Sequence, residues 1–159
     1  MLSLQSLSHT VAYADAEQLA FLKQTIIPMV AERGAKLVLM VDSPYLARPN
    51  GGNTCIPPNN IQRCIFTEQD IRNHKMQRWQ NPHATLYDYI DRFNTLHEEY
   101  PDTVFVFNQL ELWMANGRGS NLIPGTMTNG FMDWEHLVPE GALYLWPYLC
   151  AAFNEWGFF

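Results

Sequence analysis

Asp133 and His136 stand three positions apart, just before an apolar stretch that opens with Pro139. At this spacing the carboxylate can fold back onto one ring nitrogen of the imidazole. Such a contact fixes the tautomer and stabilises the imidazolium. The other ring nitrogen is then available to take a proton from a serine hydroxyl. Surface loops often produce D-x-x-H by chance, so the neighbouring residues decide how much weight it carries. Asp133, Glu135 and His136 could also be joined by His74 or His83 around a metal. An Asp and a Glu so close to His136 do not easily share one face with it, and no second ligand pair is suitably spaced, so no metal is expected. His97, beside Glu98 and Glu99, reads as a solvated helix end. Trp113, Trp134 and Trp146 could stack on a sugar or simply pack as amphipathic rings. Asn108 ends a predicted strand, either facing a ligand or serving as a turn residue.

The composition narrows the function classes. The chain has 159 residues, 47% of them apolar and 16% charged, enough to bury the core of one domain. Its net charge is −6, with 10 Lys and Arg and no basic stripe, so nucleic acid is not an expected partner. No run of 18 or more apolar residues is present to span a bilayer. The first residues, MLSLQSLSHTVAYADAEQ, do not make a signal peptide. Of the 3 cysteines, Cys55 and Cys64 bracket CIPPNNIQRC and are either a disulfide or two thiols, while Cys150 reads as a core residue.

The elements that would position the Asp–His pair alternate. Asp15 and Gln18 resemble a capping box, and Leu19, Leu22, Ile26, Ile27 and Val30 recur at helical spacing. Gly34 fits the position after the helix end, so a helix is predicted from Ala16 to Arg33. Lys36–Val41 has the continuous apolar character of a strand covered on both faces. Thr67, with Asp70 three residues on, caps a second helix that Pro82 interrupts. Leu86, Ile90, Phe93 and Leu96 mark an amphipathic helix to Glu99. Thr103–Phe107 is a second buried strand after a turn at Tyr100-Pro-Asp. A loop from Asn108 to Val138 leads to a last helix beginning at Pro139, its face formed by Ala142, Leu145, Leu149 and Ala152. This order implies an α/β parallel sheet with helices on both faces. Two strands are few for such a sheet, so either short strands exist in the remaining segments or part of the sheet lies elsewhere.

The run D-x-x-H-L-x-x-x-G-A, met here at Asp133, His136, Leu137, Gly141 and Ala142, resembles the last block of SGNH hydrolases. It is most similar to the SGNH domains attached to membrane acyltransferases that modify cell-surface polysaccharides, whose usual form is D-x-x-H-L-S-x-x-G-A; Val138 takes the place of the hydroxyl residue. The order of the other elements agrees, including the strand that leads to Pro44 and the pair Arg63-Cys64. The two cysteines that often follow the later strand in those relatives are missing from NQLELWMANGRGSNLIPG.

The resemblance implies a three-layer α/β/α doubly wound, flavodoxin-like domain, with residues 1–159 as a single but partial SGNH domain. Its strands would be the fourth and fifth of five, and the first three, with the serine and the oxyanion donors, would lie upstream of Met1. No G-D-S occurs among the serines Ser3, Ser6, Ser8, Ser43 and Ser120. Ser43, in Val41-Asp-Ser-Pro, imitates that motif, but the following Pro-Tyr-Leu-Ala-Arg-Pro-Asn-Gly-Gly cannot form the helix the family requires; Ser8, before His9, has no strand leading into it. The implied activity is serine-dependent hydrolysis or transfer of O-acyl groups, typically acetyl, on an acylated cell-surface carbohydrate. His136 would be the general base and acid, Asp133 its orienting partner, and no cofactor would be needed. A membrane acyltransferase domain in the parent protein and an extracytoplasmic location follow from the same likeness. The alternative is a non-catalytic carbohydrate-binding or structural module on the same fold.

Overall fold

The computed structural model of the protein describes residues 16–41, 65–73, 86–132 and 136–159. In chain order the elements are α1 (Ala16–Phe21), a π-helical segment (Leu22–Ile26), α2 (Ile27–Glu32), β1 (Leu37–Val41), β2 (Ile65–Thr67), α3 (Glu68–Asn73), α4 (Leu86–Glu99), β3 (Val104–Asn108), α5 (Leu110–Trp113), β4 (Met114–Ala115), β5 (Arg118–Ser120) and α6 (Pro139–Glu155). The chain is a mixture of helices and strands in two compact units. One comprises Met1–Asp42 and Met76–Asn108, the other Ser43–Lys75 and Gln109–Phe159.

The first unit is built on β1 and β3, which pair in parallel from Leu37↔Val104 to Val41↔Asn108. The predicted helix over 16–33 forms, with a wide turn inside it: Ile27 N–H reaches back five residues to the Leu22 carbonyl. Pro28 supplies the physical reason. It lacks an N–H, and its ring would strike the carbonyl four residues before it in a regular α-helix, which a wider turn relieves. The helix ends as its glycine predicts. Gly34 takes φ +58°, its N–H bonds the Ala31 carbonyl at 2.9 Å, and Ala35 N–H bonds that of Val30 at 3.1 Å. These two bonds form a Schellman cap. α4 buries Leu86, Tyr89, Ile90, Phe93 and Leu96 and packs on both strands. Lys23 pairs with Glu99 at 2.6 Å, an exposed contact worth under about 1 kcal/mol.

Burial alternates along β1: Leu37, Leu39 and Val41 are buried, whereas Val38 and Met40 are only half-buried. The expected cover on both faces is therefore complete on one. His97 differs from its reading as a solvated end. It is half-buried, its Nδ1 lies 2.6 Å from the Val104 carbonyl, and its ring tilts over Phe105 at 6.0 Å. The turn from α4 into β3 brings that carbonyl and ring beside it.

The second unit holds short strands that the sequence reading did not place, β4 and β5 among them within its predicted Asn108–Val138 loop. β2, β5 and β4 form an antiparallel sheet in that order, so the additional short strands do not extend the parallel pair. Asn116 and Gly117 turn β4 into β5 with φ of +52° and +73°, the paired positive values of a type I′ hairpin. Thr67 and Asp70 form the expected cap: Asp70 N–H donates to Thr67 Oγ1 at 3.1 Å, and Thr67 N–H donates to Asp70 Oδ2 at 2.8 Å. α6 begins at Pro139 as predicted, and of its expected face Leu145 is buried and Leu149 and Ala152 are half-buried, but Ala142 is not part of it. Gly141 and Leu145 are buried and Tyr144 is half-buried, whereas Ala142 is exposed. Cys150 is half-buried and free rather than a core residue. The capping box at Asp15 and Gln18, the Cys55–Cys64 pair, Arg63, Pro82, and the residues His74 and His83 lie outside the described residues or side chains.

Replacing Gly34 by Ala puts a side chain at φ +58°, where the new methyl meets no atom within 4 Å. The cost is then purely conformational, and urea unfolding followed by circular dichroism is expected to show a loss of about 1–2 kcal/mol.

Candidate functional site

The loop that carries the D-x-x-H residues starts from a buried anchor. Phe131 is 0% exposed, and its ring packs on the Trp113 indole at 4.6 Å. Phe131 and Leu137 form an antiparallel bridge, and Met132 N–H bonds the His136 carbonyl at 2.6 Å. The two ends of the short segment 132–136 are thereby held together through the backbone. His136 itself is exposed. An accessible imidazole on a fixed backbone is the arrangement a general base needs to meet a hydroxyl from outside its own loop.

A hairpin-like strap precedes this loop. Leu122 bridges Asn129, and Ile123 N–H bonds the Thr128 carbonyl at 2.8 Å. Its tip is a Pro124-Gly125 turn, closed by Thr126 N–H to the Ile123 carbonyl at 3.0 Å; Gly125 has φ +78°, as the third residue of a type II turn requires. Within the strap the buried Asn121 donates from Nδ2 to Asn129 Oδ1 at 3.3 Å. Asn129 in turn donates from Nδ2 to the Phe131 carbonyl at 2.6 Å, and its Oδ1 accepts Phe131 N–H at 3.3 Å.

On the other side, α6 meets the loop at two glycines. The Gly130 carbonyl accepts Val138 N–H at 3.0 Å. A methyl group on Gly141 would overlap that carbonyl and lie 3.1 Å from Gly130 Cα. Only a residue without Cβ lets the first turn of α6 approach so closely. Gly141, one of the residues that carry the resemblance, thus has a packing role of its own.

Tyr144 on α6 ties the same corner to α5. Its hydroxyl donates to the Leu112 carbonyl at 2.9 Å, and its ring lies 5.3 Å from that of Trp113. Burial, followed by the hydrogen bond and charge of the Tyr148 hydroxyl, pushes the Tyr144 phenol up to about 12. Trp113 is 2% exposed between Phe131 and Tyr144, so it is packing and not a stacking platform. Trp146 is 60% exposed.

Of the predicted pair, His136 lies among the described residues, and Asp133 lies outside them, as do Trp134 and Glu135. Ser3, Ser6, Ser8 and Ser43 lie outside as well. Ser120 is committed to its own turn: Oγ accepts Leu122 N–H at 3.2 Å and donates to the Leu122 carbonyl at 3.3 Å. Asn108 is the last residue of β3, in register with Val41. No group of three His, Cys, Asp or Glu among the described residues could hold a metal ion, and no helix among them is long and apolar enough to cross a membrane. The sequence reading did not foresee Asn121, Asn129 and the Gly130–Gly141 contact. They sit in a stretch without periodicity, where hydrogen bonding rather than hydrophobic pattern decides the backbone.

No protein-family model matches this chain, and no curated protein or solved structure matches it. None of these comparisons supports the SGNH resemblance read from residues 133–142.

Two stability measurements check this geometry. Gly141→Ala raises helix propensity by about 1 kcal/mol, but the clash with a backbone carbonyl opposes it. A net loss of about 1–2 kcal/mol is expected in urea unfolding, since overpacking typically costs 1–3 kcal/mol. Tyr144 has a folded-state value above its usual 10.0, so the stability it contributes is present in full below about pH 10 and is lost as pH rises through about 12. Tyr144→Phe is expected to be about 1 kcal/mol less stable at pH 8 through the lost hydrogen bond. It should also lose less stability than the wild type between pH 10 and 12, with Trp fluorescence as the readout.

Proposed function

We propose that this chain supplies the acid–base end of a serine-dependent O-acyl esterase or transferase of the SGNH type. His136 shuttles the proton, Asp133 orients it, and an acylated, typically acetylated, cell-surface carbohydrate is the substrate. The observation that carries the reading is the run Asp133-x-x-His136-Leu137-x-x-x-Gly141-Ala142 at the start of an apolar helix. The exposure of His136 on a loop pinned by Met132 N–H and the Phe131–Leu137 bridge supports it. The three-layer doubly wound architecture belongs to the same proposal, supported by the parallel pairing of β1 with β3 and the packing of α4 on both.

In the proposed reaction His136 takes the proton from a serine hydroxyl as it attacks the ester carbonyl. It later returns that proton to the departing sugar oxygen, while Asp133 stabilises the imidazolium between the two steps. The serine stands in a G-D-S sequence in this class of site, and no such sequence occurs in these residues. The reading therefore requires the nucleophile, and the donors for the oxyanion, from outside them. A membrane-bound acyltransferase domain and an extracytoplasmic setting are parts of the same proposal.

The commitment of Ser120 to its own turn, with no G-D-S present, favours a second reading: a carbohydrate-binding module without turnover. The two readings separate on whether Asp133 engages His136. Solution NMR is expected to find a slowly exchanging His136 ring N–H that disappears in Asp133→Asn; an unchanged ring signal in that variant would show that the pair does not exist. In parallel, residues 1–159 are expected to release no acetate from an activated aryl ester above the His136→Ala background. Turnover abolished by both His136→Ala and Ser43→Ala would place the nucleophile within the chain and sink the proposal as stated.

A further inference from the structure

Asn129 grips Phe131, the residue before Met132, through both of its amide atoms. Its Nδ2 donates to the Phe131 carbonyl at 2.6 Å, and its Oδ1 accepts Phe131 N–H at 3.3 Å. An amide is the group that can donate and accept at once, so the Phe131 peptide units before and after the α-carbon are both fixed by one planar side chain. Asn121, 3% exposed, fixes that plane with its Nδ2 on Asn129 Oδ1 at 3.3 Å. Asn121 is itself tied back, because its carbonyl accepts Gly130 N–H at 2.8 Å. Phe131 cannot rotate to compensate, since its ring is wholly buried against Trp113.

We infer that Asn129, held by Asn121, is a positioning residue for His136. It acts through the Phe131 backbone and the next N–H, that of Met132, which bonds the His136 carbonyl at 2.6 Å. The inference rests on the proposed role of His136, but the placement it describes is measurable without any activity. Had Asn129 served only to stabilise the strap 121–131, its loss would loosen the whole unit together. As a positioning residue its loss releases the Met132–His136 closure first, because local openings need less free energy than global ones.

The test is amide hydrogen exchange on the full chain, comparing Met132 with control amides in the middle of α6 such as Leu145. In Asn129→Ala, Met132 is expected to lose roughly tenfold or more of its protection, the loss of a part-buried hydrogen-bonding group, while Leu145 changes little. Asn129→Asp keeps the acceptor but sets a carboxylate against the Phe131 carbonyl. Its Met132 protection factor should be low at neutral pH and recover as the carboxyl takes up a proton and regains a donor, with the wild type measured at the same pH values. If Asn129→Ala fails to fold, Asn121→Ala removes only the support and is expected to give a smaller loss at Met132 alone. Met132 protection unchanged in these variants, or lost equally with that of Leu145, would overturn the positioning role. Failure of the His136 ring signal to respond to Asp133→Asn would instead overturn the catalytic reading and leave this placement standing.

Discussion

The contact between Gly141 and the carbonyl of Gly130 constrains the second unit more than any other single feature. A backbone carbonyl has a fixed size, and the first turn of α6 can lie against it only if position 141 carries no side chain. From that approach the rest follows. The Gly130 carbonyl is near enough to accept Val138 N–H, which seats the residue before the helix. Leu137 then bridges Phe131, and Met132 N–H meets the His136 carbonyl. Three residues along α6, Tyr144 arrives beside Trp113 and reaches the Leu112 carbonyl. The helix start, the loop and α5 are fixed by one pair of glycines.

This design separates two demands that usually conflict. An imidazole that transfers a proton, as proposed for His136, has to be reachable, and reachable side chains are ordinarily the least well placed. Here the exposure belongs to the His136 side chain and the order belongs to its backbone. The ordering energy comes from buried neighbours: Phe131 at 0% and Trp113 at 2% exposed. Full burial of one such ring is worth on the order of 1.5–3 kcal/mol, larger than the net value of the hydrogen bonds that close the loop, about 0.5–1.5 kcal/mol each. The aromatic core therefore fixes where the loop starts, and the hydrogen bonds select its path.

Features governed by one local rule were legible in the sequence. Gly34 ended its helix because only a glycine takes the left-handed conformation cheaply, Thr67 and Asp70 capped theirs because their side chains can exchange bonds with the backbone, and Pro139 began α6 because the first helical N–H is dispensable. Leu86, Ile90, Phe93 and Leu96 declared a buried face by spacing alone. The antiparallel sheet was harder to read, since strands of two or three residues have no measurable period. Asn116-Gly117 was nevertheless a readable hairpin signal. The widened turn before Pro28 was readable too, as a proline inside a helical pattern. The face of α6 was assigned from the apolar residues alone, which omitted glycine as a contact. Ala142 consequently took the place that belongs to Gly141.

The aromatic residues near the loop show how burial restricts a functional reading. A ring cannot both fill a core and offer a face to a sugar. Trp113 meets Phe131 at 4.6 Å and Tyr144 at 5.3 Å, tilted rather than parallel, which is the packing that aromatic quadrupoles favour in an interior. A stacking platform requires a ring face open to solvent and apolar surface around it. Among the described tryptophans of α6 and its surroundings, Trp146 is 60% exposed, and Leu143, one turn before it on α6, is 68% exposed. Any carbohydrate contact made by aromatic stacking on the described part of this unit therefore falls to the outward side of α6. The inward side is committed to holding the loop through Gly141 and Tyr144, so on the proposed reading a carbohydrate and the histidine loop would draw on different faces of the same helix.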